Sequence, residues 1–231
     1  MIKIENIDIW GFEHAIRGLR NPLNSWDKSD SFPCYTDLCG SCSQNHNGHC
    51  SYSNELYGFH VGENDLSLMR KLYKAGSEHR KYLRQIFVSM DIIAPLYWWK
   101  EFDTYKVGTV ANSCSTMHKI AAKEFELDDF SHEHLYVDNL SPFCPELVLA
   151  HQIDALNFWR KRYLETKNKS DWWQLIQLLP SSYNQKRTVT MNYENVVTMI
   201  HQRTGHKLDE WNEFVATLKG LPYIKEITES E

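Results

Sequence analysis

The spacing of hydrophobic residues near the N-terminus predicts a strand followed by a helix. Residues 2–9 alternate isoleucine with polar residues, with one slip in the alternation, and a period of two is typical of a strand with one buried face. Residues 11–20 then follow a helical pattern. Residues 21–60 have no apolar period and are rich in Asn, Ser, Asp, Gly and Cys. We therefore expect a long irregular segment there that needs a local cross-link to be ordered.

Regular structure is expected to resume at Asn64, a residue suited to cap a helix that ends at Gly76. A short helix over 78–84 and a buried strand over 85–93 follow. Pro95 begins an aromatic, amphipathic element, and a small, polar loop is predicted over residues 103–117.

The C-terminal half of the chain is predicted to be largely helical. Residues 145–167 and 171–179 follow helical stripes, and Pro180 ends the second of them. A short strand over 186–191 and two further helices complete the pattern. The expectation is an α+β protein that forms a single domain over residues 1–231, with a cysteine-rich insertion at 31–60.

Composition narrows the classes of partner. The chain has 231 residues, of which 42% are hydrophobic, and 25 basic against 30 acidic side chains give a net charge of −5. The sequence contains no run of basic residues that could contact a nucleic-acid backbone, so we expect no nucleic-acid partner. Any nucleotide that binds is expected to be held in a pocket. The N-terminus lacks the features of a signal peptide, and no apolar run approaches the roughly 18 to 20 residues of a membrane span. A cytoplasmic location without membrane contact is expected.

Four of the six cysteines are clustered and predict a metal site. Cys34, Cys39, Cys42 and Cys50 are separated by four, two and seven residues. Four thiolates on turns rich in Gly and Asn suit tetrahedral zinc, and a site closed by four protein ligands is structural. Two alternatives stay open: an iron–sulfur cluster, whose plant-type spacing places the fourth cysteine further along, and free thiols on a variable loop.

The stretch from Pro95 to His118 has the composition of a ligand-binding segment. It joins an aromatic helix to a loop rich in hydroxyl and amide groups. A phosphorylated nucleotide needs cations for its phosphate, a planar face for its base and polar groups for the base edge, and this stretch supplies all three. The alternative is that the aromatic residues belong to the core and the loop only turns the chain.

The same stretch resembles the signature of the flavin-dependent thymidylate synthases. That signature is a helix opened by proline and ending in Arg-Gln, followed by the motif R-H-R-x-x-S-x-N-x-x-S-x-R. Lys100 and Glu101 stand at the Arg-Gln pair. Thr104, Tyr105 and Lys106 stand at the Arg-His-Arg.

The second half of the motif matches after one inserted residue. Asn112 and Ser115 then fall on the Asn-x-x-Ser element, with Ser113 and Cys114 between them. A methionine takes the place of the last arginine, and His118 follows it.

Two outlying segments are also similar to the family. Gly76 and His79 match its Gly-His-x-Ser helix, and residues 179–183 match its Leu-Pro-x-Ser-x-Tyr segment. Arg203 matches the arginine at the end of the helix that follows. Glu194 stands where the family has the arginine of an Asn-x-Arg element.

The resemblance implies an α+β fold with a central antiparallel sheet and flanking helices. It also implies reductive methylation of dUMP, with methylene-tetrahydrofolate as carbon donor, FAD as hydride carrier, NADPH as reductant, and active sites between the subunits of a homotetramer. No enzyme nucleophile is required in that scheme, so no catalytic residue is assigned. The implied nucleotide contacts are Lys100, Glu101, Asn112, Ser113, Cys114, Ser115, His118 and Arg203, and the implied flavin contacts are His79, Thr104, Tyr105 and Lys106.

Departures from the signature leave the activity open. Thr104 and Lys106 replace two guanidinium groups, and the loss of a bidentate contact to an anion costs on the order of 1.5 to 3 kcal/mol. Glu194 is expected to repel a phosphate. Three functions therefore stay open: an enzyme of this fold, a catalytically inactive nucleotide-binding protein, and an interaction module built on the zinc knuckle.

Overall fold

The computed structural model describes residues 2–33, 45–46, 49–50, 58–138, 141 and 143–229, with the backbone alone for the two short pieces at 45–46 and 49–50. The strands in this part of the chain are β1 (Lys3–Trp10), β2 (Phe32–Pro33), β3 (Asn45–His46), β4 (His49–Cys50), β5 (Phe59–His60), β6 (Phe87–Pro95), β7 (Thr109–Ser113) and β8 (Asn184–Asn192). The α-helices are α1 (Phe12–Arg20), α2 (Glu63–Lys74), α3 (Leu96–Phe102), α4 (Pro145–Thr166), α5 (Lys169–Leu178), α6 (Tyr193–Arg203), α7 (Asp209–Lys219) and α8 (Ile224–Thr228).

A four-stranded antiparallel sheet in the order β1-β6-β8-β7 forms the centre of the fold. Every second residue of β6, from Val88 to Ala94, is buried, because side chains alternate across a strand. The other face of β6 carries Ser89 and Asp91. The slip in the isoleucine pattern of β1 is a bulge, where Asn6 has φ 53° and the pairing with β6 shifts.

The described residues form two hydrophobic cores, and the larger of them lies on this sheet. The main core lies between the buried face of the sheet and helices α1, α2, α3, α6, α7 and α8, and its largest side chains include Trp98, Trp99 and Trp211. The second core joins α4 and α5 to the segment 120–130. The tryptophans of α3 are therefore core residues, which was the alternative interpretation of the aromatic stretch.

A buried polar cluster fastens both ends of the cysteine-rich segment to the main core. Arg20 donates to Asp65 over 2.7 Å, and the Asp65 carboxylate also accepts hydrogen bonds from the backbone and hydroxyl of Ser31. Asp30 accepts from two backbone N–H groups in the first turn of α2. Next to this cluster β2 pairs with β5, so Pro33 and Phe59, which border the cysteine-rich segment, lie side by side.

Most predicted elements are confirmed, with three corrections. Helix α2 is capped at Gly62 rather than Asn64, because Asp30 supplies the capping oxygens from far along the chain. The predicted helix over 78–84 is a turn followed by a 3-10 helix over residues 81–85. The predicted loop over 103–117 contains β7, an edge strand of the main sheet.

The predicted zinc ligands cannot be placed on this fold. Cys34, Cys39 and Cys42 lie outside the described residues, and Cys50 is described only by its backbone in β4. Among the described side chains no group of three metal-ligating residues is found. No helix in the described part of the chain is long and apolar enough to cross a membrane.

Candidate functional site

A cavity of about 490 Å³ lies where the loop after α3 meets the start of α6. The loop contributes three of the residues predicted to hold the flavin, Thr104, Tyr105 and Lys106. The remaining lining comes from Arg84, Val107, Gly108, Asn192, Glu194, Asn195 and Thr198. The fold thus brings one half of the signature motif against residues almost ninety positions further along the chain.

Two asparagines at the start of α6 hold the loop in place. Asn192 caps the helix by accepting a 3.1 Å hydrogen bond from the backbone N–H of Asn195. The Asn195 amide donates to the Val107 carbonyl over 2.7 Å and to the Thr109 hydroxyl over 3.1 Å. Gly108 lies between Val107 and Thr109 and has φ +77°, and a Cβ there would lie 2.6 Å from the Asn192 amide nitrogen. The close approach and the left-handed backbone both require glycine at this position.

The cavity lining carries a net positive charge. Glu194 is neutralised by Arg80, whose guanidinium approaches its carboxylate to 2.8 Å, with both side chains about four-fifths buried (21% and 18% exposed). Arg84 and Lys106 are exposed and form no ion pair with any described residue. The expected repulsion of a phosphate by Glu194 is thus offset by Arg80, and two unpaired cations remain to attract an anion.

Beside the cavity, Glu101 and Arg203 form an ion pair. The Arg203 guanidinium lies 2.5 Å from the Glu101 carboxylate and 4.5 Å from the ring centre of Trp211. The Trp211 indole donates to the same carboxylate over 3.0 Å. Arg203 also donates to the Tyr105 hydroxyl over 2.9 Å, which connects this cluster to the cavity. Two predicted nucleotide contacts are therefore engaged with one another in the single chain.

The other predicted site residues lie apart from this cavity. Asn112 and Ser113 are exposed on the edge strand β7, and Cys114 is exposed directly after it. The Ser115 hydroxyl accepts the backbone N–H of His118 over 3.0 Å and so caps a turn.

Three further predicted residues lie at the surface. His118 lines a second cavity, which contains none of the other predicted residues. Lys100 is exposed on α3, and His79 is exposed in the turn after α2, where it lines neither cavity.

Comparison of the coordinates with solved structures finds matches along almost the whole chain. Two crystal structures of the flavin-dependent thymidylate synthase of Helicobacter pylori, both with FAD and dUMP, are among them. One is 16% identical, covers 97% of this chain and 98% of its own, and superposes with a TM-score of 0.62. The other is 14% identical, covers 99% and 100%, and has a TM-score of 0.63. The chain has the fold of the flavin-dependent thymidylate synthases. No protein-family model and no curated protein matches the sequence.

The sequence motifs predicted the thymidylate synthase fold, but they did not predict all the residues that line the cavity. Arg84, Asn195 and Thr198 were not singled out, because each stands alone in the sequence without a motif around it. Asn192 could have been found as the asparagine of the Asn-x-Arg element and as a residue suited to cap the helix that follows.

Proposed function

We propose that this protein is a flavin-dependent enzyme that acts on a pyrimidine nucleotide, and that the cavity beside α6 holds part of FAD. The observation that carries the proposal is the placement of Thr104, Tyr105 and Lys106, at signature positions, in a cavity with two unpaired cations. Solved proteins of the same fold contain FAD and dUMP.

The side chains present suit the chemistry of FAD. The pyrophosphate of FAD carries two negative charges, which match the two cations Arg84 and Lys106. The amides of Asn192 and Asn195 and the hydroxyl of Thr198 offer polar groups to the rest of the cofactor. A bound flavin would supply the hydride for reductive methylation of dUMP, with a folate as carbon donor and NADPH as reductant. The chain's own residues would bind and orient these molecules.

The proposal includes a homotetramer with its sites between subunits. The predicted nucleotide contacts on β7 and the turn after it are exposed in the single chain. A neighbouring subunit placed against that edge would turn an open surface into a closed pocket. The proposed tetramer thus accounts for the distance between these residues and the cavity that holds the other half of the motif.

Spectroscopy of the purified protein tests the flavin assignment. We expect a flavin absorption band at about 450 nm in the isolated or FAD-reconstituted protein. Lys106→Gln should weaken FAD binding by about tenfold, because one charge-assisted contact is lost. Lys225→Gln, which removes an exposed charge on α8, is the matched control and should bind FAD like the wild type. Failure of FAD to bind would refute the proposal, and an unchanged Lys106→Gln variant would refute the placement of Lys106.

A second candidate function is nucleotide binding without methyl transfer. The observation in its favour is that Thr104 and Lys106 stand at two flavin positions where the signature has arginine, so the contacts to the flavin are altered. Titration of the protein with dUMP in a calorimeter separates the two functions. A colourless protein that binds dUMP and gives no thymidylate with FAD, folate and NADPH would support the second candidate.

We also propose that the four clustered cysteines hold one structural zinc ion. Support comes from the ligand type and spacing, and from the paired strands β2 and β5 at the base of the segment. Metal analysis should find one zinc per chain, and Cys39→Ser should lower that content. Iron with sulfide, or no metal, would contradict this assignment.

A further inference from the structure

A second cavity lies where the connection between α4 and α5 meets the turn over residues 115–121. Its volume is about 330 Å³, and its lining consists of Met117, His118, Ile120, Ala121, Tyr163, Lys167, Lys169 and Trp172. It shares no lining residue with the cavity beside α6. The two cavities are therefore separate sites in the chain.

A hydrogen bond holds one aromatic wall of this cavity, and the end of α4 carries the other. The Trp172 indole donates to the Met117 carbonyl over 3.1 Å, which fixes the ring against the turn. Lys167 adopts the left-handed conformation (φ 56°) at the end of α4, where its backbone N–H donates to the Tyr163 carbonyl over 2.8 Å. Because the indole N–H is already used, the ring offers its apolar face to a ligand rather than a polar edge.

All charge in the lining is positive. Lys167 and Lys169 form no ion pair with a described residue, and the Lys167 ammonium lies 5.7 Å from the ring centre of Tyr163. The neighbouring carboxylate of Asp171 is engaged elsewhere, since it accepts from the Thr166 hydroxyl over 2.6 Å and pairs with Arg162 at 3.2 Å. A protein of net charge −5 thus has two unpaired lysines at one partly apolar cavity.

We propose that this cavity binds a planar aromatic molecule carrying a phosphate group, no larger than a mononucleotide. The rings of Tyr163 and Trp172 provide surfaces for a flat ring, and the floor of Ile120 and Ala121 is apolar. Lys167 and Lys169 provide two positive charges for a dianion, and a lysine binds phosphate as a point charge. This site lies outside the proposed flavin cavity, and of the predicted nucleotide contacts only His118 lines it, so it serves a ligand other than the flavin.

Calorimetric titration of the full chain with 4-methylumbelliferyl phosphate tests the proposal. The uncharged ring 4-methylumbelliferone and inorganic phosphate, titrated separately, measure the ring and the ion alone. The location is measured by fluorine NMR of protein labelled with 5-fluorotryptophan, in which the Trp172 signal is the one that disappears in Trp172→Phe. The variant Lys167→Gln/Lys169→Gln removes both charges and keeps the side-chain length. Lys161→Gln/Lys225→Gln removes two charges from exposed positions elsewhere and is its matched control.

We expect the aromatic phosphate to bind to the wild type and to shift the Trp172 signal. It should bind at least about tenfold more weakly to the Lys167/Lys169 variant, because that variant loses two charge-assisted contacts to the phosphate. The control variant should bind within about twofold of the wild type. The ring alone and phosphate alone should each bind at least about tenfold more weakly. An unmoved Trp172 signal at saturation, equal binding to the Lys167/Lys169 variant, or equally tight binding of either fragment would overturn the proposal.

Discussion

The ion pair between Arg80 and Glu194 controls the charge of the proposed flavin cavity, and its removal has a defined cost. Arg80→Gln leaves the Glu194 carboxylate without its cation at a position only 18% exposed. One carboxylate oxygen of Glu194 is already buried and has no hydrogen-bond partner among the described residues. The variant therefore combines an unpaired charge with an unsatisfied oxygen.

The size of the effect follows from the geometry of the pair. Two unit charges roughly 4 Å apart attract by about 4 kcal/mol at an effective dielectric constant of about 20. Desolvation offsets about half of this for a largely buried pair, which leaves a coupling of about 2 kcal/mol. Arg80→Gln alone should cost about 3 kcal/mol, because the unpaired carboxylate remains in the cavity. The Arg70–Glu63 pair has the same 2.8 Å separation but exposures of 35% and 74%, and its coupling should be below about 1 kcal/mol.

Urea unfolding of Arg80→Gln, Glu194→Gln and the double variant measures this coupling as a double-mutant cycle, with an Arg70/Glu63 cycle as control. FAD affinity should fall about tenfold in Arg80→Gln, since the cavity loses one positive charge, and should recover in the double variant. A coupling below about 0.5 kcal/mol, or a double variant that binds FAD no better than Arg80→Gln, would show that the pair does not set the cavity charge.

Three further variants test the structure at other places. Arg20→Met should lower the free energy of unfolding by about 3–5 kcal/mol, because Asp65 is left charged in the core; equal stability by urea unfolding would contradict this. Asp91 accepts a hydrogen bond from Thr188 that helps lower its pKa to about 2. Its contribution to stability is therefore complete above about pH 4 and is lost as the pH falls towards 2. Asp91→Asn should make the melting temperature depend less on pH between these values. A pH dependence equal to that of the wild type would exclude the assignment. Gly108→Ala should cost about 1–2 kcal/mol and weaken FAD binding; calorimetry that finds wild-type affinity would count against the loop geometry.

The regular elements with a buried face were predictable because burial leaves a period in the sequence. The strand β6 and helix α4 show this, since their apolar positions repeat with the period of the element that forms. The residues of β7 were predicted to form a loop because the stretch 103–117 is small and polar. Four of the five residues of the strand are exposed, so no buried face leaves a period in the sequence. Its strand conformation is imposed by backbone pairing with β8, which no side-chain pattern records.

The cavity was only half predictable for a related reason. The loop half carries a motif of contiguous residues, and resemblance identified Thr104, Tyr105 and Lys106. The partners of that loop are chosen by tertiary packing. Arg80, which compensates Glu194, comes from a turn more than a hundred positions earlier in the chain, so the sequence suggested repulsion where the structure has a neutral pair.

The pairing of β2 with β5 brings together the two points of the chain between which the cysteine-rich segment is inserted. Pro33 faces Phe59 across this two-residue ladder, so the two chain ends that border the segment are already neighbours. Joining them through a tight Asn-Gly turn would excise the segment and leave the clamp of Arg20 and Asp65 unaltered. Such a shortened chain would show what the main core does without the cysteine-rich segment.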